Sequence, residues 1–414
     1  MIITKAYKVE IKPNNKQKTL LNKTFGVARF TYNWGLARRI ELYKTEKKST
    51  TAYTQSKELN AIKKEQFPWM YEVSSNSPKN SLIDLEDAFN RFFKSCKSSK
   101  KVGFPKFKCK NKSKESFRFW KKRFIITEAY IGIPNIGKVR LKNKGYIPIE
   151  NVKYNSATVS KKAGRYFVSV QCTIEIPDIT KNKETILGVD LGIKTLLVCS
   201  DGKKYDNPKN TYKYEKKLAH AQKNLSRTKK GSKNFNKTKL KVQKLHVRIA
   251  NSRLDSIHKA TTAVVKTKPR YIVLEDLNVK GMVQNHCLAK AISDCEWGEI
   301  KEQFGYKSIW YGSEILGVPR FFPSSKMCRM CGQIKENLTL KDRIFVCDGC
   351  GHTEDRDDQA SINMENYGLS TLGSRGIKAC GESVRLLEKS DLGAISKNQE
   401  ENSKSDRDKD SGLI

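Results

Sequence analysis

Apolar and polar positions alternate along residues 2–11, which predicts a strand that Pro13-Asn14-Asn15 ends. From Lys16 to about Lys44 the period turns helical. Leu21, Phe25, Ala28 and Tyr32, then Leu36, Ile40 and Tyr43, recur at steps of three and four. Ser77-Pro78 opens another helix, with Leu82, Leu85, Phe89 and Phe92 on one face. The stretch between the two helices reads as a polar, lysine-rich connection. Short β segments are expected at about 124–134, 138–142 and 146–152, followed by a hairpin pairing 157–160 with 166–176 through Lys161-Lys162-Ala163-Gly164. These strands could join residues 2–11 in one barrel or sheet, with the helices as an insertion.

The texture changes at Thr185. Residues 186–189 form a buried-type strand running into Asp190-Leu191-Gly192, residues 196–199 a second one, and Asp201-Gly202 a tight turn. Two long helices, 211–228 and 236–266, are joined at Gly231-Ser232. Residues 271–274 make a short apolar strand ending in Glu275-Asp276. A helix at 288–306, a strand near 313–318, two cysteine pairs and a helix starting at 360–364 complete the pattern. Strand, hairpin, helices, strand, helix is the order of an RNase H-like α/β domain. From Ser396 the chain is almost without apolar residues, and a disordered tail is expected.

Charge narrows the function classes. Of 414 residues, 81 are Lys or Arg and 43 Asp or Glu, a net of +38, which points to a polyanionic partner such as nucleic acid. The charge is concentrated. Residues 91–123 hold fourteen Lys/Arg and one acid, Glu115, interleaved with aromatic residues; residues 203–248 hold sixteen against Asp206 and Glu215. Such lopsided runs cannot be neutralised by helical i+4 acids. They suit phosphate contacts, and the interleaved aromatics either stack on bases or belong to a core. No run of 18 apolar residues exists, so no transmembrane helix is expected. The opening MIITKAYKVEIKP lacks the pattern of a secretory signal. Seven of the eleven cysteines are scattered, which argues for a reducing compartment: the cytoplasm, in association with the nucleoid.

Two constellations carry chemistry. Cys328-x-x-Cys331 and Cys347-x-x-Cys350 have zinc-ribbon spacing, and Gly332 and Gly351 follow each pair. Four thiolates close a tetrahedron with no open position, so the zinc would be structural; the alternative is two chance pairs of buried cysteines. Three acids, Asp190, Glu275 and Asp357, lie at the ends of short apolar segments. In an RNase H-like sheet the first and fourth strands are neighbours, so Asp190 and Glu275 could meet and a later helix could bring Asp357 alongside. Crowded carboxylates repel unless divalent cations neutralise them, and two Mg²⁺ ions about 3.5–4 Å apart are the usual solution. Spacing leaves Asp276 and Asp355 open as alternatives. The five histidines form no pair at metal spacing, and no Walker-type loop or serine elbow is present.

GVDLGIKT (188–195), LEDLNVKGM (274–282), FFPSSKMCRMCG (321–332), CDGCG (347–351) and DRDDQASIN (355–363) together resemble the TnpB family of transposon-encoded, RNA-guided DNA nucleases, from which miniature type V CRISPR effectors descend. RFTYNWGL (29–36), GFPKFK (103–108) and LHVRIANSRLDSIHK (245–259) extend the likeness, which covers residues 1 to about 380. The resemblance implies an α+β multidomain fold. A β-barrel-like wedge domain (1–14 and 115–182) would hold an inserted helical recognition lobe (15–114). A RuvC-like nuclease domain (183–320 and 353–380) would carry a zinc-ribbon insert (321–352), with the disordered tail at 381–414. It also implies Asp190, Glu275 and Asp357 as the catalytic, Mg²⁺-binding acids, which resolves the choice against Asp276 and Asp355, and the four cysteines as zinc ligands.

The implied function is RNA-guided cleavage of double-stranded DNA beside a short adjacent motif by two-metal hydrolysis. A guide RNA and target DNA are the partners, with one protein per guide or a dimer, and no membrane is involved. The alternatives are a guided repressor with a silent nuclease, or an unguided zinc-ribbon accessory protein of transposition. Two departures from the family pattern stand out. Gln359 replaces an Asn two residues after the third acid, which is expected to displace a hydrogen bond to the metal site. Cys295-Glu296 replaces a small Ala-Gly-like pair.

Overall fold

The computed structural model describes residues 1–97, 102–110, 112–120, 124–177, 185–339 and 342–373. The expected tail at 381–414 lies outside them, as do the last residues of the basic tract at 121–123. The chain divides into two compact units, Met1–Pro177 and Asp178–Ile414. No helix among the described residues is long and apolar enough to cross a membrane.

The first unit opens with β1 (Ile2–Lys12), α1 (Asn15–Glu46), α2 (Ala52–Gln66) and α3 (Asn76–Cys96). The strands β2 (Glu115–Trp120), β3 (Tyr130–Ile133), β4 (Gly137–Leu141), β5 (Val152–Lys162) and β6 (Arg165–Glu175) follow. The six strands form one antiparallel sheet in the order β2-β5-β6-β1-β4-β3. α1 begins in a reciprocal cap, with Asn14 accepting from the Gln17 N–H and Gln17 accepting from the Asn14 N–H. Its first half seats Leu21, Phe25 and Ala28 on the sheet, and its second half packs Tyr32 and Leu36 against Leu85 and Phe89 of α3.

One expectation is corrected here, and one open alternative is decided. The lysine-rich connection contains a helix, α2, whose sequence signal is faint because it buries only a thin stripe including Ala52 and Leu59. The stripe includes a polar residue, Gln55, whose amide donates to the Gly35 carbonyl at 2.8 Å and accepts from Arg39 Nε at 3.0 Å. Among the aromatics of the basic tract, Phe117 and Phe119 are buried in the sheet core and the Trp120 indole N–H donates to Asn80, so these do not offer faces to bases. Phe93, Phe104 and Phe107 are the exposed ones.

The second unit holds β7 (Ile186–Leu191), β8 (Thr195–Cys199), β9 (Lys204–Asp206), α4 (Asn210–Ser226), α5 (Lys233–Lys266) and β10 (Tyr271–Glu275). Then come α6 (Val279–Met282), α7 (His286–Cys295), α8 (Trp297–Tyr311), β11 (Glu314–Val318), a small ribbon of β12 (Ile344–Val346) and β13 (Thr353–Asp355), and α9 (Arg356–Gly373). The sheet order is β11-β10-β7-β8-β9. β10 runs parallel to β7 and β11, while β7, β8 and β9 form an antiparallel meander. Successive side chains on a strand face opposite ways. Accordingly Leu187, Val189, Leu191, Ile272 and Leu274 share a core with α5 and α8, while Ile186 and Val273 pack with Met364 of α9.

The single helix expected at 288–306 is broken between α7 and α8 at Glu296, which adopts φ +48°. Glycine is at ease in that left-handed region, which accounts for the small residues the family pattern has there. Glu296 is held in it by Arg253, 2.9 Å away; the same guanidinium binds Asp294 at 2.5 Å. Asp294 in turn accepts from the Thr211 backbone N–H at 3.0 Å, next to the start of α4.

α9 lies directly on the backbone of β7. A Cβ added at Gly188 would stand 2.0 Å from the Ser361 carbonyl oxygen and 2.8 Å from the Glu365 nitrogen. Both obstacles are backbone and cannot swing aside. Gly188→Ala is therefore expected to destabilise the protein by about 1–3 kcal/mol or more, measured as a lowered denaturation midpoint in urea.

Candidate active site

Strand parity and register place the first two acids. Asp190 has the parity of Ile186 and Gly188, and Glu275 that of Val273, so both side chains face the side covered by α9. The parallel register puts Leu274 opposite Val189, one residue before each acid. Asp357 stands in the first turn of α9. One helical turn later Ser361 makes the close approach to Gly188, two residues before Asp190. The same seam that forbids a side chain at 188 thus carries Asp357 toward the two strand acids.

Electrostatics report the gathering. Burial, then the charges of Glu275 and Asp357, push the Asp190 carboxyl well above the usual carboxylate range, with the Leu191 N–H and Arg356 working in the opposite direction. Burial also raises Glu275, against a hydrogen bond from the Ser324 hydroxyl. Asp357 pairs with Arg343 at 3.9 Å. The neighbouring acids are otherwise engaged. Asp276 is partly buried, but Lys301 at 3.0 Å and Arg320 at 3.1 Å hold its carboxyl below the usual range. Asp358 is paired with Lys204 at 2.7 Å. Asp355 accepts from the backbone N–H groups of Asp357 and Asp358, capping α9. The three candidate carboxylates are spaced more widely than the cysteine ligands: among the described residues only the four cysteines bring three or more ligand atoms within 4.8 Å of one another. A largely buried trio of mutually repelling carboxylates, opposed by Arg356 near Asp190 and by Arg343 at 3.9 Å from Asp357, has the all-oxygen donor chemistry that suits hard divalent ions.

Gln359 is fully buried, and neither atom of its amide finds a hydrogen-bond partner among the described residues. It makes no bond to the acids. Ser324 and Arg343 were missed at the sequence level, although Ser324 lies within the FFPSSKMC motif.

The four cysteines form a compact cluster. Cys328 Sγ lies 3.7 Å from Cys350 Sγ, and Cys331 Sγ 3.5 Å from Cys347 Sγ. A tetrahedral zinc site with Zn–S bonds of about 2.3 Å has sulfur–sulfur edges of about 3.8 Å, so the set fits that ion. Backbone N–H groups of Cys350 and Gly349 lower the Cys347 thiol, while hydrogen bonds to Cys347 and Cys350 push its neighbour Cys331 up, as expected of sulfurs that share protons where no ion is bound. No histidine joins such a group among the described residues. His352 Nε2 is 3.2 Å from Glu354, which also pairs with Arg329.

The second basic tract forms most of α4 and the first half of α5, two helices packed together. Only Asn210 of α4 is buried, and Lys213, Lys216, Lys217, Lys223, Lys233, Lys237, Lys241, Lys244 and Arg248 are exposed.

The class that emerges is a mixed α/β protein of two units, with three carboxylates gathered on one face of a sheet and a four-cysteine cluster in the segment between β11 and β13. Residues 169–286 match the family described as "Probable transposase", residues 1–48 a "Helix-turn-helix domain", and residues 297–364 a "Cas12f1-like, TNB domain". A "Putative RNA-guided DNA endonuclease" of Streptomyces pristinaespiralis is 34% identical over 386 residues, covering 92% of each chain. The "Putative RNA-guided DNA endonuclease InsQ" of Escherichia coli is 31% identical, over 92% of this chain and 94% of that one. The chain belongs to the TnpB family.

Elemental analysis of the purified protein is expected to find about one tightly held zinc per chain. Cys347→Ala should remove it and lower the melting temperature of this unit, as followed by calorimetry.

Proposed function

We propose that this protein is an RNA-guided DNA endonuclease whose catalytic groups are Asp190, Glu275 and Asp357. The observation that carries the reading is selective neutralisation. Burial, then the charges of Glu275 and of Asp357 on α9, raise Asp190, while the adjacent Asp276 and Asp358 are tied to lysine and arginine. The strand order, with the first strand between the hairpin and the fourth, supports assignment to the RNase H-like class and its RuvC branch. The relatives named as RNA-guided DNA endonucleases support the guided character.

In this reading Asp190 is the central ligand, with Glu275 on the neighbouring strand and Asp357 on the helix completing the shell. When bound, two Mg²⁺ ions would supply Lewis-acid stabilisation of the attacking water and of the leaving 3′ oxygen, giving 5′ phosphates and 3′ hydroxyls. The three residues would hold these ions, whose charge would keep the carboxylates ionised, and α9 covers its side of the sheet. The cysteine cluster holds a structural zinc. The exposed lysines of α4 and α5 contact the phosphates of the guide RNA or of its duplex with DNA. Base pairing with the guide reads the target, and the first unit, as wedge-like sheet (1–14 and 115–182) and recognition lobe (15–114), reads a short adjacent DNA motif. One protein per guide RNA, acting where the DNA lies, is the simplest assembly.

Asp190→Ala is expected to retain guide and target binding in a gel-shift assay while losing cleavage in Mg²⁺ by at least about a thousandfold. Asp276→Asn, which alters only the paired neighbour, should cut within a few-fold of the parent. Cutting by the Asp190 variant would remove the assignment.

A further inference from the structure

The turn leading into the cysteine cluster touches the acid site at one point. Ser324 is buried, and its hydroxyl donates to Oε1 of Glu275. Its own position is fixed from α9. Asn363, also buried, donates both amide hydrogens across the gap, to the Ser324 carbonyl at 2.7 Å and to the Met327 carbonyl at 2.6 Å. The turn is closed internally by the Lys326 and Met327 N–H groups, both donating to the Pro323 carbonyl at 2.9 Å. Met327 is followed at once by Cys328, the first cysteine of the cluster.

We infer that Ser324 and Asn363 are positioning residues that lock the Glu275 carboxylate to the helix carrying Asp357 and to the cysteine turn. The inference rests on the proposed role of Glu275. A carboxylate that is buried and acts on a second one, Asp190, would rotate or take up a proton if left alone. The Ser324 hydroxyl occupies Oε1, which fixes the rotation of the carboxylate and leaves Oε2 as the oxygen for a metal ion. Asn363 sits six residues after Asp357 on the same helix, so the strand acid and the helix acid share one frame. The FFPSSKMC segment is therefore more than a lead-in to the cysteines: it joins their cluster to the reacting face. Outer partners of metal-binding carboxylates typically change metal affinity by about 10–100-fold when removed.

The test is Mn²⁺ titration of the protein–guide RNA complex by electron paramagnetic resonance, counting the ions bound in excess of those held by the Asp190→Ala complex. Ser324→Ala should need about tenfold more Mn²⁺ for half-occupancy, at an unchanged melting temperature. Ser324→Thr, which keeps the hydroxyl, should restore the parent curve. Asn363→Ala should weaken the same site, and its half-activating Mg²⁺ concentration for cleavage should rise in step. Parent-like Mn²⁺ binding by Ser324→Ala, while Asp190→Ala stays empty and inactive, would overturn the positioning role and leave the nuclease reading standing. Equal Mn²⁺ binding and cleavage by Asp190→Ala would instead overturn the nuclease reading itself.

Discussion

At Gly188 the backbone of α9 rests against the backbone of β7 with no room for a methyl group. Close packing of this kind is intolerant of added volume, because interiors are already dense. Everything at the acid face follows from that contact. It sets the height of α9 over the sheet, the height sets where its first turn ends, and Asp357 is in that turn. A second small residue, Gly368, repeats the device farther along, where an added Cβ would stand 2.9 Å from both Ile186 and Val273. The helix is thus seated at two points, and its acidic end is not free to drift from the strands.

Charge in the second unit is handled in two contrasting ways. Where it is incidental, it is satisfied: Lys307 is buried, yet its ammonium donates to Thr261 at 2.7 Å, Thr262 at 2.9 Å, Gln303 at 3.0 Å and the His258 carbonyl at 3.1 Å. Arg253 likewise ties α5 to Asp294 and Glu296. At the acid face the opposite holds. Three carboxylates are gathered with little compensation, at a cost that a folded protein would avoid unless something else offsets it. Asp276 and Asp358 are each paired with a cation at 2.7–3.1 Å, whereas Glu275 takes a neutral hydroxyl, Ser324, and Asp357 a cation at 3.9 Å, Arg343.

Much of this was legible in the residues. The strands at both ends of the first unit, the long helices, and the strand pattern from Thr185 onward follow apolar periodicity, because each has one face against a core. The cysteine pairs are legible because ligand geometry demands short, repeated spacing. The failures have physical causes. α2 escaped because its buried face is thin and partly polar, with Gln55 taking a place that an apolar residue would have marked. The break at Glu296 escaped because the residue does not announce its left-handed backbone; an ion pair with Arg253 holds a conformation that glycine would adopt unaided. For Phe117 and Phe119 the sequence left base stacking and core burial open, and strand alternation, which turns them inward, decides for the core.

The amino-acid order alone was enough to establish membership of the TnpB family, the positive charge and its two concentrated tracts, and the cysteine spacing, since each is a property of composition or of local pattern. It could not say which way a carboxylate faces or what its neighbour is doing. That Asp276 and Asp358 are engaged by cations, that Asp355 caps a helix, and that Ser324 reaches Glu275 were decided only when segments far apart in the chain were packed together. Hydrogen bonds and ion pairs act over a few ångströms of space, and no local pattern records which distant residue will occupy them.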